Sequence, residues 1–171
     1  MEPIAPADQP KPAAGPSPRL GAAVAYDAAR DRLFVFGGGT GSMGADLDDL
    51  WVLDGAARAP QPSWKLVTAL GDLPSPRRGA GLAFDGREDR LILFGGRTGD
   101  GAVFDDVRVL ALAGPAAASS WRKVEPLSSG PSARFGAAVA YDTASQRLLV
   151  YGGSTGPMAE GTNYVFSDAW L

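Results

Sequence analysis

The stretch PSPRRGAGLAFDGREDRLILFGGRTGD, from Pro74 to Asp100, decides the fold, because the chain carries it three times. The first copy opens with PSPRLGAAVAYD from Pro16 and continues with DRLFVFGG from Asp31. The third opens with PSARFGAAVAYD from Pro131 and continues with QRLLVYGG from Gln146. A Thr-Gly pair closes each copy, at Thr40-Gly41, Thr98-Gly99 and Thr155-Gly156. Gly21, Gly79 and Gly136 each stand 16 positions before the first member of a double glycine, and they recur at spacings of 58 and 57 residues. Agreement this close is an internal repeat, and the repeat sets the architecture.

Working outward, each copy reads as four short strands. The first two (GAAVAYD and RLFVFGG in copy one) are apolar on both faces and bounded by turn residues. Between them a turn such as Tyr26 to Asp31 fits a hairpin in which Asp27 accepts from nearby backbone N–H groups. The third strand (LWVLD, VRVLAL) is mixed. The fourth (WKLV, WRKV) alternates apolar with charged residues, and Lys65, Arg122 and Lys123 make it an outer edge that resists pairing. No stretch has a helical period. A single four-stranded sheet cannot bury two apolar faces, whereas sheets stacked side by side can. The expected fold is all-β, with the first strand innermost and four, four and three strands in successive sheets. The expected organisation is a Pro-rich disordered leader at 1–15, repeats at 16–73 and 74–130, and an incomplete third at 131–171.

Composition excludes several function classes. The 171 residues include no Cys and no His, which removes disulfides, thiol nucleophiles, His-based triads and Cys- or His-ligated zinc. No catalytic constellation, cofactor or metal site is expected; hard oxygen ligands leave only calcium or magnesium. A net charge of −3 with no Lys/Arg run argues against nucleic acid. The N-terminus, acidic and proline-rich, does not read as a signal peptide, and the uncharged run Leu20 to Tyr26 is far too short to span a bilayer. No membrane is expected among the partners.

The double glycine after an apolar strand, the Asp-Leu-Trp and Asp-Ala-Trp steps at Asp49 and Asp168, and the later Trp64 and Trp121 resemble kelch repeats. The lead-in Pro-x-x-Arg resembles the bacterial type. The likeness covers about residues 16 to 171, with a period longer than the usual ~50 residues. It implies a partial β-propeller of three blades, related to the galactose oxidase-like propellers. Closed propellers have about four to eight blades. Ring closure would therefore need further blades of a longer chain, the favoured reading, or a second copy. The resemblance implies a non-catalytic module that binds a protein segment or a glycan. The alternative it leaves is a piece of a carbohydrate-active propeller enzyme of the sialic-acid mutarotase type. A copper oxidase is set aside because its site needs His and a Cys-linked Tyr.

Candidate residues fall into two groups. The repeating ones read as structural. The double glycines Gly37-Gly38, Gly95-Gly96 and Gly152-Gly153 are turn or close-packing positions, since no helix follows to make a phosphate loop. Asp49, Asp106 and Asp168 are expected to accept from the backbone of the preceding loop, while Asp48 and Asp105 point to the opposite face. Trp51, Trp170, Trp64 and Trp121 are expected in blade packing. Arg19, Arg77 and Arg134 recur beside the innermost strand; a carboxylate-binding ring and an intrablade pair with the recurrent Asp both remain open. Non-repeating residues follow strand two and form the expected ligand surface: Met43, Arg97, Asp100, Met158, Glu160, Asn163 and Tyr164.

Overall fold

A computed structural model of the chain describes residues 15–112, 118–125, 130–157 and 163–171. These residues form strands, turns and loops, and among them no helix is long and apolar enough to cross a membrane. Blade 1 is an antiparallel sheet of β1 (Ala23–Asp27), β2 (Arg32–Gly39), β3 (Asp46–Asp54) and β4 (Ser63–Leu66), in that order. The inner strands of blade 2 are β6 (Gly81–Asp85), β7 (Arg90–Phe94), β8 (Val107–Ala111) and β9 (Ser119–Val124). Blade 3 pairs β10 (Ala138–Asp142), β11 (Arg147–Tyr151) and β14 (Ala169–Trp170).

Two features depart from the sequence-based expectation. The first is β5 (Ala69–Gly71), which follows blade 1 in sequence yet pairs in parallel with β9 as a fifth, outermost strand of blade 2. So β9 is not an edge along its first half: Ser120 and Trp121 are paired on both sides, while Arg122 and Lys123, on opposite faces, lie beyond β5 and stay exposed. The charged end of the strand keeps its edge, and the added pairing falls on the segment before it. The second is a hairpin of β12 (Ser154–Pro157) and β13 (Asn163–Val165), inside what reads from sequence as a plain loop. Of the expected leader, residues 1–14 lie outside the described residues. Gly15 lies so close to the Trp64 indole that a Cβ would meet Cδ1 at 2.7 Å.

Each hairpin at the start of a blade closes the same way. Asp27 is 1% exposed and accepts from Ala29 N at 3.0 Å and Arg30 N at 3.2 Å. The last turn residue takes a positive φ in all three copies: Asp31 at 55°, Asp89 at 48° and Gln146 at 58°. Arg32 then returns its guanidinium to Asp27 Oδ2 at 2.7 Å, which offsets the cost of burying that carboxylate.

The inner strands sit side by side, with β6 between β1 and β10. Alternation along a strand turns one face of each sheet to the blade before and the other to the blade after. Phe34 and Phe36 of β2, with Leu50 and Val52 of β3, therefore pack on Leu82, Leu91, Leu93, Leu110 and Trp121 of blade 2. Phe34 stacks on Phe84 at 5.9 Å, and Phe36 meets the edge of Trp121 at 5.8 Å. Burying each such side chain is worth about 1.5–3 kcal/mol, so the blade junctions are the main source of stability.

Backbone bonds repeat with the blades. Gly79 N donates to Gly21 O at 2.7 Å, and Gly136 N donates to Gly79 O at the same distance. The double glycine performs a parallel step outside that ring. Gly38 N donates to Arg77 O and Gly96 N to Arg134 O, both at 2.9 Å. A Cβ on Gly37 would meet Arg77 O at 2.6 Å, and one on Gly95 would meet Arg134 O at 2.5 Å. Both glycines also have φ above 60°. The pair is thus glycine for two separate reasons, conformation and the approach of the next blade's backbone.

Candidate functional site

The recurrent arginines are consumed inside their own blades. Arg77 is 1% exposed and sends Nη1 to Asp106 Oδ1 at 2.5 Å and to Gly95 O at 3.0 Å. Its Nη2 reaches Asp106 Oδ2 at 3.2 Å and Ser75 Oγ at 3.1 Å, and its Nε reaches Ser75 O at 3.1 Å. Arg19 makes the same contacts with Asp49, Gly37 and Ser17; Arg134 makes them with Asp168, Gly152 and Ser132. Phe104 lies 3.9 Å beneath the Arg77 guanidinium and Phe166 lies 3.8 Å beneath that of Arg134. These groups have no donors left for an incoming carboxylate.

The recurrent aspartates take side chains and not, as the sequence suggested, the preceding loop's backbone. Trp51 Nε1 donates to Asp49 Oδ2 and Trp170 Nε1 to Asp168 Oδ2, each at 2.6 Å. In blade 2 the aligned residue is Arg108, whose Nε donates to Asp106 Oδ2 at 2.6 Å. A flat N–H donor two residues along the strand is what the site requires, and indole and guanidinium both supply it. Burial pushes the Asp49 and Asp106 carboxyls up. The arginines and these second donors outweigh it and hold both below the usual range. Arg134, with Trp170, holds Asp168 down at about 2. Trp64 is half-buried and Trp121 fully buried.

The loops after strand two, with the lead-in between blades, form one end of the arc. Between blades 1 and 2 they enclose a groove of about 620 Å³ lined by Ser42 to Asp46, Ser75, Pro76 and Thr98 to Asp100. Its walls are rigidly held. Arg78, 5% exposed, donates Nη1 to Gly41 O at 2.9 Å, Nη2 to Gly44 O at 2.7 Å and Nε to Asp46 Oδ1 at 2.5 Å. The other Asp46 oxygen accepts from Gly99 N at 2.6 Å, which ties the two loops together. Neither Arg78 nor Asp46 was singled out from sequence. The signal was present: Arg78 aligns with Leu20 and Phe135, and Asp46 aligns with Val103 and Val165, so both depart from the repeat together.

Of the expected ligand residues, two sit at this groove. Met43 is 99% exposed on its rim, and Asp100 accepts from the Thr98 hydroxyl. Arg97 does not stand free: its guanidinium lies 4.2 Å over Phe135 in the junction with blade 3. Tyr164 is 56% exposed on β13, its ring edge-on to Phe166 at 5.1 Å. Asn163 opens β13 in blade 3 and is not among the residues that line the groove. Met158 and Glu160 lie outside the described residues. Among the described residues no three acidic side chains converge as a metal site would require.

No protein-family model matches the chain. It is 37% identical over 125 residues to the serine/threonine-protein phosphatase BSL2 of Arabidopsis thaliana, covering 71% of this chain and 11% of that protein. It is 35% identical over 85 residues to the F-box/kelch-repeat protein At1g51550 of the same plant, covering 50% of this chain and 17% of that one. Among solved structures, that of YjhT superposes with a TM-score of 0.56 at 26% identity, over 81% of this chain and 35% of the other. A fungal alcohol oxidase of the AA5 family, in complex with copper, superposes with a TM-score of 0.60 at 15% identity, over 87% and 31%. The chain thus spans between about a tenth and a sixth of the curated relatives it matches. In-register repeats, stacked antiparallel blades and a kelch-repeat relative lead to one statement: this chain is a run of kelch-type β-propeller blades.

Proposed function

We propose that the chain is a non-catalytic binding module that takes an extended protein segment in the groove between the loops Ser42–Asp46 and Thr98–Asp100. One observation carries this reading. The recurrent charged residues are all committed to holding blades, whereas the loop residues that do not repeat surround a groove of about 620 Å³ with an exposed methionine on its rim. Its walls expose short side chains and backbone, which suits hydrogen bonding to a peptide main chain, and Met43 supplies an adaptable apolar contact. A glycan reading would favour an aromatic platform. Trp51 and Trp170 are turned to aspartates, and Trp121 is buried, so none lines this groove. Tyr164 on β13 of the third blade, 56% exposed, is a secondary contact apart from the groove.

The enzymatic alternative is a piece of a carbohydrate-active propeller enzyme of the sialic-acid mutarotase type and not a copper oxidase; the likeness to the fungal oxidase, at 15% identity, is one of fold. Without His or Cys the chain lacks the imidazole and thiolate ligands copper prefers. The test is to pan a displayed peptide library against the chain, with a glycan array in parallel, and to map the amide shifts of any binder. Enriched peptides should shift residues 41–46 and 98–103, and Met43→Glu should abolish binding with the melting temperature unchanged. Shifts confined to the opposite turns around Asp27 and Asp85, or hits on the glycan array alone, would overturn the assignment.

A further inference from the structure

The groove at the loop end of the arc is lined by residues of blades 1 and 2 alone. Further blades, which stack on the side faces of an arc, would leave it as it is. The only charged side chains that line it are Asp46 and Asp100, and they differ in what they already hold. Asp46 is neutralised. Its side chain is 12% exposed, one oxygen takes Arg78 Nε at 2.5 Å, and the other takes Gly99 N at 2.6 Å. Arg78 sends its other nitrogens to the carbonyls of Gly41, Ser42 and Gly44, at 2.9, 3.2 and 2.7 Å. Asp100 is exposed and accepts from the Thr98 hydroxyl, a neutral donor in its own turn. Among the described residues no Lys or Arg reaches it. The Thr98 hydroxyl, with the Ala102 N–H, holds its carboxyl below the usual range, so the charge is present at neutral pH. Arg97, the cation of the same loop, is turned to Phe135. The groove therefore carries one negative charge that the fold does not use.

A second lies on the path out of the groove. Ser75 and Pro76 line the groove, and the two residues before them, Leu73 and Pro74, line a smaller cleft of about 260 Å³ beside β4 and β5. Its wall holds Asp48, exposed and likewise without a Lys or Arg among the described residues. Leu66 and Leu73 stand beside it, 56% and 58% exposed. Alternation along β3 separates Asp48 from its neighbour: Asp49 faces Arg19, and Asp48 faces outward.

We propose that the segment received by this groove is basic, one Lys or Arg side chain meeting Asp100 and a second meeting Asp48, with aliphatic side chains against Met43 and Leu73. The proposal rests on the peptide groove and adds the charge of its occupant. A cation is what both carboxylates lack, and Lys and Arg bring one with several donors. An acidic segment finds no free guanidinium here, since Arg78 is committed to the loop, and like charges set against each other select against that partner. The exposed Met43 and Leu73 accept apolar residues of varied shape between the two charges.

The test uses the purified chain and two capped peptides, one of alternating leucine, serine and lysine, the other with glutamate in place of lysine. The lysine peptide should shift the amides of residues 41–46 and 98–103, and the glutamate peptide should not. Raising the salt from about 0.05 to about 0.5 M should weaken the lysine peptide about 10-fold, because exposed charges are screened. Asp100→Asn should weaken it about 3- to 5-fold, the contribution of one exposed ion pair, and Asp100→Glu should restore it. Asp48→Asn should act in the same direction, and the two changes together should remove most of the salt dependence. Asp105→Asn is the control: it removes an exposed carboxylate of blade 2 that lines neither the groove nor the cleft, and it should change nothing. Melting temperatures of these variants should stay with the parent's. An equal loss in Asp105→Asn would overturn the proposal in favour of attraction by net charge. Binding of the glutamate peptide in the groove, or library peptides that bind there without Lys or Arg, would overturn the charge selectivity and leave the groove standing. If no peptide of either kind shifts residues 41–46 and 98–103, the groove and this proposal fall together.

Discussion

Replacing Arg77 tests whether the recurrent arginine is the internal bolt of a blade. In Arg77→Ala five N–H···O contacts vanish, to both Asp106 oxygens, Gly95 O, Ser75 O and Ser75 Oγ, together with the cation over Phe104. Charged hydrogen bonds contribute about 1.5–3 kcal/mol each, but they are not additive. The better bound is the cost of breaking a buried ion pair, about 3–5 kcal/mol. Asp106, with 9% of its side chain exposed, keeps Arg108 at 2.6 Å, so its charge is not left alone, and the lower half of that range applies, about 3–4 kcal/mol. Arg77→Lys keeps the charge and loses the fork, and should cost about 1–2 kcal/mol. The same change should cost less at Arg19 than at Arg77. Asp49 is 28% exposed and no aromatic ring lies under that guanidinium, the aligned residue being Leu47. Urea unfolding followed by tryptophan fluorescence and circular dichroism gives the midpoints, with slopes checked because repeat arrays lose two-state behaviour. An Arg77→Ala variant within about 0.5 kcal/mol of the parent, or a larger loss at Arg19 than at Arg77, would refute the bolt and reopen a ligand-binding role.

Gly37→Ala should destabilise by well over the ~1 kcal/mol of its left-handed φ, because its Cβ meets two backbone carbonyls at 2.6 and 2.9 Å, whereas Gly101→Ala, at φ 103° with nothing within 4 Å, should show the conformational cost alone; equal losses in thermal melts would contradict the close-approach argument. Acid should unfold the chain in a defined window. Asp27, Asp49, Asp106 and Asp168 all have lowered folded-state pKa values, so their stabilisation is full above the ordinary 3.8 and is lost as pH falls through the folded values, which for Asp168 means down to about 2. Melting temperatures flat between pH 3.8 and 2, or an Asp168→Asn variant with an unaltered acid limb, would count against it.

Much of this was legible because the chain compares itself with itself. The strand order within blades 1 and 2 and the innermost position of strand one came from periodicity and an apolar gradient, and the kelch-type resemblance from the double glycines, the Asp-x-Trp steps and the later Trp64 and Trp121. Other features came from contacts that no local pattern names. β5 joins blade 2 because its backbone lies beside β9, and three residues of Ala-Leu-Gly carry no pattern that names a partner sheet. The Arg–Asp pair was one of two alternatives open from sequence; it is made because the fold brings the start of each blade onto an Asp about 30 residues away, a closure that local turn chemistry does not set. Arg97 looked like a free surface charge because its ring partner, Phe135, belongs to the next copy.

The three copies sort residues more finely than repeating against non-repeating. Positions constant in all copies, such as Gly37, Gly95 and Gly152, serve contacts every blade must make. Positions that vary singly while their partner stays fixed keep one job with different chemistry, as Trp51, Arg108 and Trp170 do on their aspartates. Positions that vary in matched pairs, Arg78 with Asp46 and Phe135 with Val103, give each junction its own identity, so that blade 2 fits blade 1 better than any other blade would. A buried ion pair at one junction and apolar side chains at the next make a slipped assembly costly, since mispairing would leave Arg78 or Asp46 without its partner. Among the described residues Met43, with the short-side-chain loop around it, varies outside any such pair. At 99% exposure, on a loop that four hydrogen bonds from Arg78 keep in place, Met43 adds little to folding, so Met43→Glu should leave the melting temperature unchanged and act, under the proposed peptide groove, on binding alone.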